Sequence, residues 1–435
     1  MSQEFVLFGV LFVALFMGMP IALGLGLSSL CVFALFETNT SLMILAQRMF
    51  VGSDNYVFMA VPFFMLSGEL MLKGGISDRL IRFIKIAAWR LPAKLANVTT
   101  IASAFFGAIS GSNPATVSAI GGMMVPAMVE DGYPKDVAAA IAASSGTLGV
   151  IIPPSIPMVI YGITASVSVP KLFIGGIIPG IILAILICCV NIFLFKKHNP
   201  DRPDRREVKQ ALDAQGITVW RALKEAIWAL MMPVIILGGI YGGIFTPTEA
   251  AVISVFYSVI VSKYVYKELE WKDMPPILAK AAVNTGMILF VVAACSPFAW
   301  FMTSKGIPEI IATAILNALN NKYLLILAMN IILLFLGCFL DTGVIILLVT
   351  TIFLKVSQSI GVSALALGII MVMNTSIGMI TPPMAVNLYI ATRISGCTIE
   401  QITKKILPYL LVELLFVFII SNFPGFIEWL PKLID

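Results

Sequence analysis

The sequence predicts an all-α protein that crosses a membrane many times and consists of two repeats of inverted topology. Of its 435 residues, 59% are hydrophobic and only 12% are charged, whereas soluble domains carry about 25% charged residues. Pro-Pro pairs beginning at Pro153 and Pro382 interrupt two apolar stretches. Because proline lacks an amide hydrogen and clashes with the preceding turn, each pair must break a helix.

The spacing between the two Pro-Pro pairs recurs along the chain and indicates an internal duplication. The pairs lie 229 residues apart, and four other matches occur in the same order at spacings of 227–235 residues. These matches are Pro20 with Pro247, Pro62 with Pro297, Gly107 with Gly337, and Pro179 with Pro408. We therefore expect a first repeat over residues 1–195, a linker over 196–224, and a second repeat over 225–435.

Each repeat is expected to contain a re-entrant hairpin followed by a broken helix. A span needs ~20 apolar residues, and shorter apolar runs that meet at polar tips predict hairpins over about 97–129 and 323–357. The broken helices follow, over about 136–168 and 361–394. Interrupted segments at matching places in two halves are typical of a transporter's binding site, since broken backbone survives in hydrocarbon only inside protein or beside a wet cavity.

Basic residues orient the two repeats in the membrane. Lys and Arg cluster over 79–94 and 196–224, and the positive-inside rule places such clusters in the cytoplasm. The segment 76–92 alternates basic and apolar residues, which predicts an amphipathic arm helix at the interface. Hydrophobic length allows roughly ten to twelve crossings, with both termini in the periplasm. Residues 5–36 could form one long helix or two.

The polar residues at the tips and breaks are the candidate cation site. Their hydroxyl, amide and carbonyl oxygens are hard ligands that suit a small cation such as Na⁺. A carboxylate inside a membrane segment costs roughly 2.5–3.5 kcal/mol and by default indicates an ion path, so Asp341 is the sharpest candidate. The expected Na⁺ ligands are Ser110, Ser112, Asn113, Gly146, Thr147, Gly337, Asp341, Thr342, Ser376 and Gly378.

A substrate site is expected beside these ions. Half-helices that begin at the breaks present the positive ends of their dipoles, which favours an anionic substrate. Arg393 follows the second break and could pair with a substrate carboxylate. The expected substrate contacts are Ser144, Ser145, Pro154, Asn374, Thr375, Pro383 and Arg393.

The sequence gives little support to catalytic chemistry. It contains one histidine, His198, and no GxxxxGK[ST] loop, which excludes ATP hydrolysis by that route. Its six cysteines show no metal or disulfide spacing. The net charge of +5 comes from Lys and Arg in short loops, so we expect no nucleic-acid partner and no enzymatic activity.

Five motifs together resemble the large membrane subunit of tripartite ATP-independent periplasmic (TRAP) transporters, over essentially the full length. They are Pro62–Gly68, Ser110–Thr116, Gly149–Ser155, Phe245–Ala251 and Ile380–Pro383. The resemblance implies an elevator-type secondary transporter of the bacterial inner membrane, driven by two or more Na⁺ ions held at the tips and breaks. The hairpins and broken helices would slide against a scaffold of outer helices, arm helices and a small membrane subunit.

The resemblance also implies the partners and the substrate class. A small four-helix (Q-type) subunit is expected as a separate chain, because no four-helix extension precedes the first repeat. A soluble periplasmic binding protein would deliver an organic acid, with sialic acid favoured over C4-dicarboxylates and other sugar acids. The competing hypotheses are a carrier that works without a binding protein, an anion channel without coupling, and an intramembrane enzyme.

Overall fold

The computed structural model describes residues 3–36, 41–88, 91–195, 219–319, 321–383 and 385–434. Within these ranges all regular elements are helical and no strand occurs. Seven helices are long and apolar enough to cross a membrane, and the bent pair Lys135–Ile151 and Ile156–Ala165 raises the number to eight at most. The described residues therefore hold fewer full-length spans than expected, because five further apolar helices have only 10–17 residues.

The first apolar run forms two helices rather than one. Helix α1 is Gln3–Phe16 and helix α2 is Ile21–Phe36, and Gly18 between them has a positive φ of 76°, which glycine adopts without a steric penalty. The helices pack against each other as an antiparallel pair. The Ser28 hydroxyl donates to the Leu7 carbonyl at 2.5 Å.

Three helices lead to the first hairpin: α3 (Met43–Ser53), α4 (Ala60–Lys73) and α5 (Ile76–Ala87). Helix α5 is amphipathic, as expected for the arm. Its buried face includes Ile76, Leu80 and Ile84, while Arg82 is exposed. The arm was expected to reach residue 92, but it ends at Ala87, and residues 89–90 lie outside the described ranges.

The first hairpin and the first broken helix follow. The hairpin consists of α6 (Lys94–Ser110) and a returning limb made of α7 (Asn113–Thr116), a π turn (Val117–Gly121) and α8 (Gly122–Glu130). The broken helix consists of α9 (Lys135–Ser145), α10 (Leu148–Ile151) and α11 (Ile156–Ala165), and it bends by 41° at the Pro153–Pro154 break. The long helix α12 (Val169–Phe195) closes the first half.

The described part of the second half also contains a hairpin and a broken helix, preceded by four α-helices and followed by two. The first four helices are α13 (Val219–Tyr241), α14 (Pro247–Ile260), α15 (Met274–Ser304) and α16 (Ile307–Ala318). The hairpin is α17 (Lys322–Gly337) with α18 (Thr342–Ser359), and the broken helix is α19 (Ala364–Gly378) with α20 (Val386–Ser395). Helices α21 (Ile399–Asn422) and α22 (Gly425–Ile434) end the chain. Of the expected linker, residues 196–218 lie outside the described ranges, while Arg221 and Lys224 belong to α13.

The helices pack in two groups. Helices α2, α3, α4, α14 and α15 pack mainly on one another, with α1 against α2 and the arm α5 against α13. The hairpins, the broken helices, α12 and α21 form the second group, in which α11 packs on α18 of the opposite half and α20 packs on the first hairpin and α9. The two halves are therefore interlocked around the two breaks.

Each hairpin meets the broken helix of its own half at a pair of glycines. A Cβ atom on Gly107 would lie 2.9 Å from the Gly149 Cα, and one on Gly337 would lie 2.8 Å from the Gly378 Cα. Only glycine permits such an approach of two backbones. The same contact thus occurs once in each half.

We predict that Gly337→Ala destabilises the protein, because its Cβ meets backbone atoms that cannot rotate away. A forced separation of this kind costs about 1–3 kcal/mol. The matched control is Gly286→Ala in α15, where a Cβ would have no neighbour within 4 Å. The check is the midpoint of thermal unfolding in detergent. Equal midpoints for the two variants would contradict the close contact.

Candidate functional site

The tips of both hairpins open onto one cavity of about 250 Å³. The first tip contributes Ser112 and Asn113, and the second contributes Asp341 and Thr342. The facing wall is apolar and comes from α2, α4 and α15, through Ile21, Met65, Met287, Ile288, Val291 and Val292. Asp341 is the only charged residue that lines this cavity within the described part of the chain.

The first tip is held against the first break by backbone contacts. Gly111 has a positive φ of 59°, and its carbonyl accepts a hydrogen bond from the Ile156 amide at 3.4 Å. The Ser110 hydroxyl lies 3.1 Å from the Thr116 hydroxyl, which donates to the Ser112 carbonyl at 2.8 Å. The tip therefore gathers hydroxyl and carbonyl oxygens at the point where α11 begins.

A buried hydrogen-bond chain joins the first tip to both broken helices. The Asn113 side-chain amide donates to the Ser376 hydroxyl at 2.6 Å, and that hydroxyl donates to the Thr147 carbonyl at 2.8 Å. All three residues are buried. The Asn113 side-chain oxygen is also buried and has no hydrogen-bond partner within the described residues. Three of the expected Na⁺ ligands thus meet, and one oxygen stays available to an ion.

The second tip is organised by Asp341. Its Oδ1 accepts a hydrogen bond from the Gly343 amide at 2.9 Å, so the side chain is the N-cap of α18. The residue is exposed toward the cavity, and within the described ranges no basic side chain pairs with it. The neighbouring Thr342 is buried, with its hydroxyl 3.7 Å from the Met379 sulfur. A carboxylate without a basic partner beside a cavity can receive a cation.

The remaining expected residues do not line this cavity. Gly337 and Gly378 contact each other, and Gly146 is buried between α9 and α10. None of the seven expected substrate residues is part of the lining. Arg393 is exposed in the last turn of α20, where a basic side chain faces the negative end of the helix dipole. Pro383 is exposed at the second break, whereas Ser144, Ser145, Pro154, Asn374 and Thr375 are buried.

Two buried polar clusters lie behind the tips and were not foreseen. In the first cluster, the Ser145 hydroxyl lies 2.9 Å from that of Thr100, and the Asn191 amide donates to Thr100 at 3.0 Å. In the second, the Asn374 amide donates to the Asn330 side-chain oxygen at 2.8 Å, and Ser421 donates to the same oxygen at 3.4 Å.

The two clusters occupy matching positions in the two halves. Thr100 and Asn330 lie on the first hairpin limbs, Ser145 and Asn374 on the broken helices, and Asn191 and Ser421 on the long helices. These positions are separated by 229–230 residues, the spacing of the Pro-Pro pairs. Each cluster therefore ties a hairpin and a broken helix to α12 or α21.

Sequence reasoning also missed Glu413. This residue lies in α21, has no exposed surface, and its two carboxylate oxygens lack a hydrogen-bond partner in the described part of the chain. The Thr147 side chain is its polar neighbour, but the Thr147 hydroxyl donates to the Ser144 carbonyl at 2.7 Å. A single carboxylate inside the apolar run 406–423 was the signal that could have found it.

Residues 8–426 match the family described as "Tripartite ATP-independent periplasmic transporter, DctM component". The chain is 40% identical over 422 residues to the isethionate TRAP transporter permease protein DctMQ of Oleidesulfovibrio alaskensis, covering 97% of this chain and 65% of that protein. It is 37% identical over 409 residues to the C4-dicarboxylate TRAP transporter large permease protein DctM of Pseudomonas aeruginosa, covering 94% and 93%.

Two further comparisons concern a relative named for a different substrate and a solved structure with a similar fold. The chain is 33% identical over 422 residues to the sialic acid TRAP transporter large permease protein SiaM of Vibrio cholerae, covering 96% of each. The crystal structure of the Alcanivorax borkumensis YdaH transporter matches with a TM-score of 0.59, covering 88% of this chain and 87% of that one. At 15% identity, this match establishes a shared fold alone.

We predict that Ser376→Ala destabilises the protein, since it leaves the Thr147 carbonyl and the Asn113 amide without this partner. A buried polar group without a partner costs about 1–3 kcal/mol. The control is Ser304→Ala, which removes only a hydrogen bond to Phe301 within α15. Thermal unfolding in detergent compares the two, and a Ser376 variant as stable as the control would contradict the chain of bonds.

Proposed function

The chain belongs to the DctM component of the tripartite ATP-independent periplasmic transporters, and we propose that it carries a small organic anion into the cell together with Na⁺. Its relatives are transporter permeases and not enzymes. The observation that carries the proposal is the cavity shared by both hairpin tips, with Asp341 as its charged residue among those described.

Two groups of oxygens support two Na⁺ sites. At the first tip, the Ser110 hydroxyl, the Ser112 carbonyl and the Asn113 side-chain oxygen, which has no hydrogen-bond partner among the described residues, lie beside the first break. At the second tip, Asp341 and Thr342 face the same cavity. Oxygen ligands of this kind suit a small hard cation. Bound cations would supply positive charge, which none of the described side chains that line the cavity supplies.

The substrate proposed is a small organic acid. The relatives named above transport isethionate, C4-dicarboxylates or sialic acid according to their names, and all three classes carry an acidic group. The C4-dicarboxylates have the same support here as sialic acid, which the sequence had favoured. The common chemical requirement is an anion whose charge is balanced by Na⁺ and by the positive ends of the half-helices.

The packing supports an elevator movement of inverted repeats. The hairpins and broken helices of both halves interlock, and the glycine contacts and polar clusters repeat from one half to the other. We propose that this group moves as one body past α1 to α4 and α13 to α15. The polar clusters favour placing α12 and α21 within the moving body, in addition to the hairpins and broken helices that were expected to form it.

The proposed setting is the bacterial inner membrane, with both termini in the periplasm. A small four-helix membrane subunit and a periplasmic binding protein are the proposed partners. The isethionate relative is longer than this chain, which covers 65% of its length. Two membrane subunits joined in one polypeptide would account for that difference.

We predict that proteoliposomes holding this chain, its small subunit and a substrate-loaded binding protein accumulate the solute only under an inward Na⁺ gradient. Omitting the binding protein should abolish accumulation. Radiolabelled isethionate, succinate and sialic acid, each with its cognate binding protein, identify the solute. Accumulation that is independent of both Na⁺ and the binding protein would refute the proposal and favour an anion channel.

We predict that Asp341→Asn lowers the apparent Na⁺ affinity by about tenfold or more, equivalent to about 1.4 kcal/mol. Asparagine can still accept the N-cap hydrogen bond, so the change removes the charge and keeps the helix start. The control Asp54→Asn removes an exposed carboxylate that follows α3. The Na⁺ dependence of uptake measures the effect, and an unchanged dependence would exclude Asp341 as a ligand.

A further inference from the structure

A basic groove lies between the arm helix α5 and the first hairpin. Its volume is about 380 Å³, and it is lined by Asp78, Arg79, Ile81, Arg82 and Lys85 of α5, Met123 of α8, and Glu268. The arm joins the Lys73 end of α4 to the Lys94 end of α6. Lysines at the ends of apolar helices lie at the membrane surface, so the groove opens at the depth of the lipid headgroups.

The basic side chains of the groove differ in their partners. Arg79 pairs with Glu268 at 2.7 Å and stacks on the Tyr266 ring at 3.9 Å. Arg82 is more exposed and lies 3.5 Å from Glu225. Lys85 forms no ion pair within the described residues, although it is half-buried. Among the described residues, the groove therefore has one basic side chain without an ion-pair partner and a second that is only loosely paired.

The surroundings of Lys85 favour an incoming anion. Burial and the nearby Lys94 lower the pKa of Lys85, and the acidic residues Glu130 and Asp131 oppose this effect only in part. A negatively charged group in the groove would remove the electrostatic cost of keeping Lys85 protonated. Glu268 is already paired with Arg79, and Asp78 lies in the first turn of α5, where the helix dipole stabilises it.

We propose that this groove binds the headgroup of an anionic phospholipid, with its phosphate beside Lys85 and Arg82. A lipid fits better than a soluble anion because the lining next to the charge includes the half-buried Met123 and the edge of the buried Ile81. The two walls come from different elements: α5 packs on α13 and on α6, and α8 lies in the returning limb of the first hairpin. The lipid would thus bridge the arm and the hairpin at the membrane surface.

The test is lipid binding by the full-length chain expressed with its small membrane subunit and purified in neutral detergent. Phosphatidylglycerol should raise the thermal unfolding midpoint more than phosphatidylcholine, and native mass spectrometry should count the retained lipids. Lys85→Gln should weaken phosphatidylglycerol binding by about fivefold, the equivalent of about 1 kcal/mol for one basic group at an anionic surface. Arg82→Gln should also weaken phosphatidylglycerol binding, and it is the alternative test variant if Lys85→Gln fails to fold.

Lys404→Gln is the matched control, because it removes one positive charge from an exposed position in α21 outside the groove. Equal losses in the control and the groove variants would overturn the proposal and indicate a diffuse charge effect. A midpoint raised equally by glycerol phosphate would show an anion site rather than a lipid site. Failure of phosphatidylglycerol to bind to the complex would also overturn the proposal and would indicate that the small subunit occupies the groove. These binding measurements do not depend on transport, so they stand or fall separately from the proposed function.

Discussion

The structure depends on one constraint: a helix broken inside an apolar environment must have its free backbone groups satisfied by protein. The Pro153 and Pro382 breaks create that requirement twice. After the first break, the Ile156 amide donates to the Gly111 carbonyl of the first tip. In the earlier interruption between α9 and α10, the Thr147 carbonyl accepts a hydrogen bond from the Ser376 hydroxyl of the opposite half. The hairpins and the breaks therefore stabilise one another, and the two halves are joined at their most polar points.

This constraint also explains why the halves are so similar where they meet. A hairpin can cover a break only if two backbones come close together, which requires the glycines at Gly107, Gly149, Gly337 and Gly378. The polar clusters behind these contacts hold the hairpin, the broken helix and the long helix at a fixed spacing. A group of helices tied together at both tips and both clusters is suited to move as a rigid body.

The sequence predicted the features that depend on local chemistry and spacing. Pro-Pro pairs and the 229-residue offset located the breaks. The polar tips predicted Asn113 and Asp341 as site residues, and the second broken helix predicted Ser376 opposite a tip. The sequence could not predict which side chains face the cavity. That depends on how helices from distant parts of the chain are rotated about their axes when they pack together. Asp341 faces the cavity whereas Arg393 does not, although both follow apolar runs.

Glu413 shows the same limit of prediction from sequence alone. A carboxylate in an apolar helix was visible in the sequence, but only the packing of α21 on α9 brings it beside Thr147.

The cavity between the hairpin tips has one negative residue, Asp341, and, among its described lining, no positive one. An anion entering such a cavity would meet repulsion from Asp341 unless a cation were already present. On the proposed function, we therefore expect Na⁺ to bind before the organic acid, in an order set by the charge of Asp341.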